Sequence, residues 1–199
     1  MKLAAVILSG GKNSRMNGNR KFFLEHDGES FGMHIYRILS ENERIEKVYL
    51  SVNVTEPYEN LGIELIPDKY DAIGPMGGIL SAMKYIDAEA ILVAACDMPF
   101  LSGQAVDAVI DAYAAQKKAV AAATQGQIHP LLAVYPKSML PDFEEREAQK
   151  AYKLRRLIEE MAQLHKVVFV ELDRETKAVE NINTITEYQN LNAEKHTAK

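Results

Sequence analysis

Residues that could bind phosphate follow the first apolar run of the chain. The run Leu3–Leu8 opens into residues 9–21, which hold glycines at positions 10 and 11 and four cationic side chains, Lys12, Arg15, Arg20 and Lys21. Glycines let backbone N–H groups approach a ligand, and with lysine and arginine they form a site for a polyphosphate. Loops of this length without secondary structure are uncommon unless they are functional. We therefore favour phosphate binding over a loop whose charges only keep it solvated.

Two well-known phosphate-binding loops do not fit this stretch. The Walker pattern needs Ser or Thr after its Gly-Lys pair, but Asn13 follows Lys12, and Val6 occupies the position of the earlier glycine. The dinucleotide fingerprint needs glycines spaced G-x-G-x-x-G, which Gly10 and Gly11 do not supply. The sequence therefore argues against a P-loop hydrolase.

A second candidate is the carboxylate of Asp97, which follows the apolar run Ile91–Ala95 and Cys96. A carboxylate at the carboxyl end of a buried central strand points into the ligand crevice of an open α/β sheet. Mg²⁺ that accompanies a triphosphate needs only one or two carboxylates besides the phosphates, so Asp97 is the metal-ligand candidate. The alternative is an aspartate that forms the turn before Pro99. Cys96 is expected to be a small core residue, because no histidine follows nearby.

A third candidate is the loop after the apolar run Ile63–Ile66. Asp68 could accept hydrogen bonds from a base or a ribose, and Gly77 and Gly78 permit close approach by a ligand. A tight turn that packs a helix against the sheet explains the same cluster of glycine and proline equally well.

Short apolar runs alternate along the chain with segments of helical spacing. The runs, each typical of a buried strand, are Leu3–Leu8, Val48–Val52, Ile63–Ile66, Ile91–Ala95, Ala119–Ala123 and Val167–Leu172. Apolar residues share one helix face between several of them, as at Ile79 and Leu80. The alternation predicts an open α/β domain with a mainly parallel sheet and helices on both sides. Leu131–Tyr135 is expected to form an extra strand, and Pro136 and Pro141 to limit helix after it.

Length and composition bound the class of protein. The 199 residues fit one domain, which we place at residues 1–192, with 193–199 as a frayed polar tail. The formal charge of -5 argues against duplex nucleic acid as a partner. The single cysteine excludes an internal disulfide and a cysteine-based zinc site. No apolar run approaches the roughly 18 residues that span a bilayer, and no signal peptide is recognisable, so we expect a cytoplasmic protein.

Taken together, these residues resemble one known family. Leu8-Ser9-Gly10-Gly11-Lys12-Asn13-Ser14-Arg15-Met16, with Lys21 beyond it, is similar to the signature of molybdenum cofactor guanylyltransferases. The likeness continues in family order through further segments, which are Asp68 with Gly74-Pro75-Met76-Gly77-Gly78, Ala95-Cys96-Asp97-Met98-Pro99, His129-Pro130 and Asn181-Ile182-Asn183-Thr184. The resemblance implies a single-domain, Rossmann-like three-layer α/β/α nucleotidyltransferase fold with a mostly parallel sheet. Gly10-Gly11, where cytidylyl-transferring relatives usually have Ala-Gly, points to the guanylyl branch.

The resemblance also implies a reaction, in which the terminal phosphate of molybdopterin attacks the α-phosphorus of Mg-GTP and releases pyrophosphate. Its catalytic residues would be Lys21 and Arg15 on the phosphates and Asp97 on Mg²⁺. Asn53 and Asp68 match positions that contact guanosine. The full set implied to contact nucleotide or pterin is Leu8, Ser9, Gly10, Gly11, Lys21, Asn53, Asp68, Gly78, Asp97, Asn181 and Asn183. Client molybdoenzymes or other cofactor-biosynthesis proteins are the implied protein partners, and neither nucleic acid nor a membrane is expected.

Alternative roles stay open for several of these residues. Asn181 and Asn183 match a motif near the pterin side of the family's site. Asn183 and Thr184 could instead cap the final helix, with Glu187 completing a capping box from Thr184. His129 is expected to be a loop residue held before Pro130, and a base role for it is unnecessary because the phosphate nucleophile is already an anion.

Two residues depart from the family pattern. Asn17 stands where a glycine usually follows the methionine, and Arg20 replaces the aspartate that commonly precedes the lysine. One alternative function is therefore a related transferase that uses CTP or a sugar-phosphate or polyol-phosphate acceptor. Another is a nucleotide-binding protein without turnover, which would bind Mg-GTP and release no pyrophosphate.

Overall fold

The computed structural model describes residues 2–10, 20–70 and 73–193. The strands are β1 Leu3–Leu8, β2 Glu25–His26, β3 Glu29–Ser30, β4 Val48–Val52, β5 Glu64–Pro67, β6 Ala90–Ala95, β7 Ala119–Thr124, β8 Gln127–Pro136 and β9 Val167–Glu171. The α-helices are α1 Phe31–Ser40, α2 Pro75–Tyr85, α3 Gly103–Gln116, α4 Leu140–Ala148, α5 Leu154–Gln163 and α6 Ile185–Ala193. Short 3-10 helices cover Lys21–Phe23, Glu56–Leu61, Lys137–Met139 and Thr176–Val179.

Seven strands form one sheet in the order β5-β4-β1-β6-β8-β7-β9. β1 pairs in parallel with β4 and with β6, β4 pairs in parallel with β5, and β7 pairs in parallel with β9. β8 is antiparallel to both of its neighbours, β6 and β7. The predicted, mainly parallel sheet is therefore confirmed, with β8 as the antiparallel strand among these seven, while β2 and β3 form a separate antiparallel pair.

Helices cover both faces of this sheet. The side chains of β1 alternate, so that positions 3, 5 and 7 join an apolar cluster with α1 and α3, and positions 4, 6 and 8 join a second cluster with α2, α4 and α5. All six residues of β1 and all six of β6 are buried, as expected for strands packed on both faces. The three-layer α/β/α arrangement is thus confirmed.

Two local predictions about the second half of the chain need correction. The extra strand expected at Leu131–Tyr135 runs over Gln127–Pro136, because β8 pairs with β6 on one side and with β7 on the other. Pro141, expected to limit helix, lies in the first turn of α4. Proline is tolerated there because the missing N–H would have no partner within the helix.

A small third cluster holds α6 against the β2–β3 hairpin. Its buried members are Leu24, Phe31 and Ile182, and Tyr188 of α6 donates a hydrogen bond of 3.1 Å from its hydroxyl to the backbone oxygen of Glu25. Helix α6 reaches Ala193, and residues 194–199 of the expected tail lie outside the described residues. The chain therefore returns, near its carboxyl end, to the segment that follows the predicted phosphate loop.

Close packing between α2 and the sheet depends on Gly78. A Cβ atom added there would lie 2.8 Å from Ser51 Oγ and 3.0 Å from Leu8 Cδ2, both closer than ordinary van der Waals contact. Leu8 and Ser51 end neighbouring strands, so this glycine sets how near the helix comes to the carboxyl edge of the sheet. The structure gives Gly78 a packing role, and a contact of Gly78 with a ligand stays a prediction.

We expect Gly78→Ala to lower the free energy of unfolding by about 1–3 kcal/mol, the usual cost of overpacking a core. Chemical denaturation followed by circular dichroism measures the change. The matched control is Gly103→Ala in the first turn of α3, where an added Cβ meets nothing within 4 Å. Equal stability of the Gly78→Ala variant and the wild type would show that the helix can move away from the sheet at little cost.

Candidate active site

The candidate site lies at the carboxyl edge of the three central parallel strands. Leu8 at the end of β1 pairs with Ser51 of β4 on one side and with Ala95 of β6 on the other. The ladder continues just beyond the strands, because Ser9 N donates to Ser51 O at 2.9 Å and Cys96 N donates to Leu8 O at 3.1 Å. The segments that follow all three strands therefore leave the sheet side by side, as expected for parallel strands.

An ion pair between Lys21 and Asp97 forms the centre of this edge. Lys21 Nζ lies 2.7 Å from Asp97 Oδ2, and the two side chains are only 19% and 16% exposed. Lys21 Nζ also donates to Asn183 Oδ1 at 2.7 Å. The structure thus brings together three of the predicted site residues, which come from opposite ends and from the middle of the chain.

The second carboxylate oxygen of Asp97 has the features of a metal ligand. Asp97 Oδ1 is buried and receives no hydrogen bond from the residues that the structure describes. A buried carboxylate oxygen without a donor is costly, and it is usually explained by an ion or a water. No group of three or more His, Cys, Asp and Glu side chains gathers within the described ranges. One carboxylate fits Mg²⁺ that takes its remaining ligands from phosphates and water, and it does not fit an all-protein metal cage.

Ser9 is held in place by a tyrosine that the sequence analysis did not single out. Its hydroxyl lies 2.9 Å from the hydroxyl of Tyr58, and Tyr58 is almost fully buried. The guanidinium of Arg20 lies over the Tyr58 ring at 5.9 Å from the centroid, and Phe23 stacks on the same ring at 5.2 Å. Tyr58 belongs to a short 3-10 helix, whose sequence has neither an apolar period nor a recognisable motif, so no sequence signal could have marked it.

Gly10 and Asn53 face each other across the ends of β1 and β4. A Cβ atom added to Gly10 would lie 2.3 Å from Asn53 Oδ1. Both residues were predicted to contact the nucleotide, and the structure brings them within contact of one another. Gly10 therefore leaves room for an amide side chain beside the phosphate-loop backbone.

Asp68 organises the loop between β5 and α2. Its Oδ1 accepts hydrogen bonds from Tyr70 N at 2.9 Å and from Ser81 Oγ at 3.1 Å, and its carboxylate also lies beside Gly77 in the first turn of α2. Gly74, with φ of +67°, precedes this helix, a conformation that glycine adopts without strain. The structure thus supports the helix-packing turn, and a contact of Asp68 with guanosine stays a prediction.

The segment before α6 forms the helix cap considered for it, and its contact with a pterin stays a prediction. Glu187 Oε2 accepts hydrogen bonds from the backbone N–H groups of Asn183 and Thr184, and Glu187 N donates to Thr184 Oγ1 at 3.2 Å. This is the predicted capping box. The Asn183 side chain points to Lys21, while Asn181 is exposed at the start of the same segment.

Other sequence candidates lie around this centre or outside the described residues. His129 Nε2 lies 2.7 Å from Thr124 Oγ1, and burial together with the nearby Arg155 cation lowers the pKa of His129. The expectation that His129 is a loop residue is wrong, because His129 lies within β8 and pairs with Ala122 of β7. Gly11 and Arg15 lie outside the described residues, so their predicted contacts with phosphate stay predictions.

The geometry can bind and neutralise a phosphorylated ligand. A lysine ammonium and the carboxylate of Asp97 stand beside the ends of β1 and β6, and α2 begins at the same edge, where the positive end of its dipole favours anions. The nearest thiol is unsuited to nucleophilic chemistry, since burial raises the pKa of Cys96 to about 12, with Asp97 adding to the effect.

Two solved structures share this fold over the whole chain. One is the molybdopterin-guanine dinucleotide biosynthesis protein A of Archaeoglobus fulgidus, with a TM-score of 0.75, 21% identity and coverage of 98% of this chain and 99% of that one. The other is a CMP:2-keto-3-deoxy-manno-octonic acid synthetase in complex with CTP, with a TM-score of 0.78, 12% identity and full coverage of both chains. The fold is that of nucleotidyltransferases.

Sequence comparison narrows the class to a family. A family model described as MobA-like NTP transferase domain matches residues 5–167, and the chain belongs to this family. A protein of Clostridium perfringens (strain SM101 / Type A) named "Probable molybdenum cofactor guanylyltransferase" is 33% identical, with 96% of each chain covered. Among the helices that the structure describes, none is long and apolar enough to cross a membrane.

We expect the Cys96 thiol to stay unmodified when the folded protein meets a chromogenic disulfide reagent at pH 8. Its pKa of about 12 leaves almost no thiolate at that pH, and burial blocks access. The measurement is absorbance over an hour, with denatured protein as the control, which should release one equivalent per chain because the sequence has one cysteine. Complete reaction of the folded protein within minutes would mean that the thiol is exposed and activated.

Proposed function

We propose that this protein transfers GMP from GTP to molybdopterin and so forms molybdopterin guanine dinucleotide and pyrophosphate. The observation that carries the proposal is the pairing of Lys21 with Asp97 at the carboxyl edge of a nucleotidyltransferase sheet. Further support comes from the Clostridium perfringens relative named "Probable molybdenum cofactor guanylyltransferase", which is similar over 96% of the chain. Both substrates belong to intracellular metabolism, so the proposed location is the cytoplasm.

The reaction needs little covalent help from the protein. An oxygen of the molybdopterin phosphate forms a bond to the α-phosphorus of GTP, the bond from that phosphorus to the bridging oxygen breaks, and pyrophosphate leaves with the electron pair. The nucleophile is already an anion, so no base is required. The difficulty is repulsion between anions, which cations and oriented N–H groups reduce in phosphoryl transfer.

Lys21 is proposed to neutralise negative charge on the phosphates. Its side chain is only 19% exposed, so the field of its charge is screened less than that of a surface lysine. Arg15 is proposed as a second cation on the leaving pyrophosphate, and Leu8, Ser9, Gly10 and Gly11 as backbone contacts of the nucleotide.

Asp97 is proposed as the protein ligand of Mg²⁺. The buried Oδ1, which lacks a donor among the described residues, suits a cation, and Oδ2 faces the Lys21 ammonium. When bound, Mg²⁺ would supply charge neutralisation on the phosphate oxygens, in the manner usual for nucleotide-transferring enzymes. Asp97 itself is fixed because its backbone oxygen accepts a hydrogen bond from Ile182 N at 3.0 Å.

Recognition of the base is proposed for Asn53 with Gly10, and recognition of guanosine also for Asp68. Asn53 lies against Gly10, where an added Cβ would lie 2.3 Å from Asn53 Oδ1. Gly78, Asn181 and Asn183 complete the proposed nucleotide and pterin contacts. Protein partners are proposed only as a class, namely the molybdoenzymes or biosynthetic proteins that supply or receive the pterin.

The proposed activity predicts pyrophosphate release by the purified protein with Mg²⁺, molybdate-loaded molybdopterin and GTP. A coupled phosphate assay measures the rate, with CTP and ATP as parallel reactions. Release with GTP alone is the expected result. Release with CTP alone would move the protein to a cytidylyl activity and contradict the role given to Gly10. Binding of GTP without release in the presence of molybdopterin would contradict the proposed acceptor or indicate a nucleotide-binding protein.

We expect Asp97→Asn to reduce turnover by at least 100-fold, because the amide keeps the shape of the side chain and removes the charge that would hold Mg²⁺. The rate is measured as pyrophosphate release across a range of Mg²⁺ concentrations. The matched control is Asp87→Asn, since Asp87 precedes β6 at the opposite edge of the sheet and is fully exposed. Near-normal rates of Asp97→Asn at millimolar Mg²⁺ would remove Asp97 from the metal site.

A further inference from the structure

The ammonium group of Lys21 has two side-chain partners of different kinds. Asp97 contributes a charged oxygen at 2.7 Å and Asn183 contributes a neutral amide oxygen at the same distance. An ammonium has three N–H donors, so two are engaged by side chains of the described ranges and one is left for a substrate oxygen. In the proposed reaction the ammonium must lie beside phosphate while the Asp97 carboxylate binds another cation.

Asn183 is itself fixed from two directions. Its backbone N–H donates to Glu187 Oε2 at 2.6 Å, within the capping box of α6. The residue before it, Ile182, donates its N–H to Asp97 O and buries its side chain beside Leu24. The Asn183 amide oxygen therefore projects from a segment that is attached both to the end of β6 and to the chain just after Lys21.

Lys21 needs such a partner because its own side chain is flexible. Its backbone lies in a one-turn 3-10 helix, which the fully buried Phe22 anchors. Beyond the backbone, a lysine carries four methylene groups and about 2 kcal/mol of rotamer entropy, so the ammonium is placed by what it binds. A fixed neutral acceptor can orient it without lowering its charge.

We propose that Asn183 is the positioning residue of Lys21, which holds the ammonium at the phosphate site independently of Asp97. This inference rests on the proposed function, because it assigns a purpose to the position of Lys21 in nucleotide binding. Asn183 thereby acts on the GTP side of the reaction through Lys21, without needing to touch the acceptor.

A double-mutant cycle on GTP binding tests the proposal without turnover. The dissociation constant of Mg-GTP is measured by calorimetry, in the absence of any acceptor, for the wild type, Asn183→Ala, Lys21→Ala and the double variant. We expect Asn183→Ala to weaken binding about tenfold, the size of one hydrogen bond to a charged group, and to have no further effect once Lys21 is alanine. Asn190→Ala, an exposed asparagine on α6, should leave binding within twofold.

Acylation of lysines by a limiting amount of an N-hydroxysuccinimide ester provides a second measurement that needs no ligand. Mass spectrometry gives the rate at Lys21 relative to Lys47, which precedes β4 at the opposite edge of the sheet from the site. We expect Asn183→Ala to raise the relative rate at Lys21 several-fold, because the ammonium loses one of its two partners. Thermal unfolding of each variant checks that α6 remains folded.

The outcomes separate the inference from the proposed function. Independent effects of the two substitutions on GTP binding, with unchanged acylation of Lys21, would overturn the positioning role. Unchanged GTP binding with a raised KM for molybdopterin would assign Asn183 to the acceptor instead. A wild-type protein that binds no Mg-GTP would contradict the proposed function itself, and acylation would still report whether Asn183 holds Lys21.

Discussion

The ion pair between Lys21 and Asp97 is the contact on which the site depends. It joins a segment near the start of the chain to the end of the central strand β6, and both partners are mostly shielded from water. Removing one member of a shielded pair leaves the other charge without compensation, which costs more than the pair contributes. Each charge therefore depends on the other or on a ligand that takes its place, which the proposed function assigns as a metal cation on Asp97 and a phosphate on Lys21.

The sheet supplies the rigidity that such a pair requires. β1 and β6 are buried along their whole length, and their parallel register places the end of Leu8 beside Ala95. Side chains that follow directly after these strands inherit that register, whereas residues farther along a loop must be fixed by separate contacts. Asp97 follows directly after β6, whereas Lys21 lies farther along a loop. This explains why Lys21 has one partner just after β6 and another in the segment before α6.

Apolar runs and helical periods were enough to predict the layers of this fold, because strands buried on both faces and helices buried on one face leave different sequence patterns. The strand Val48–Val52 and the position of Asp97 after a buried strand follow from those patterns alone. The pairing of Lys21 with Asn183 does not, because contacts between side chains 162 positions apart leave no periodic trace. The buried hydroxyl pair of Ser9 and Tyr58 is hidden for the same reason. Pro141 was misinterpreted for a different reason. Proline breaks the interior of a helix but is accepted in its first turn, and the sequence pattern did not show which position Pro141 would take.

In the proposed site, neutralising phosphate and discriminating between bases depend on different residues. Lys21 and Asp97 are proposed to act on phosphates, which all nucleoside triphosphates share, so in that role they cannot by themselves distinguish one base from another. Discrimination must come from contacts that depend on fit, and Gly10 beside Asn53 has that character. A methyl group at position 10 would lie 2.3 Å from Asn53 Oδ1, so an alanine there forces the amide into another conformation while leaving the ion pair in place. A change of nucleotide preference within this fold therefore needs no change in the residues that neutralise phosphate.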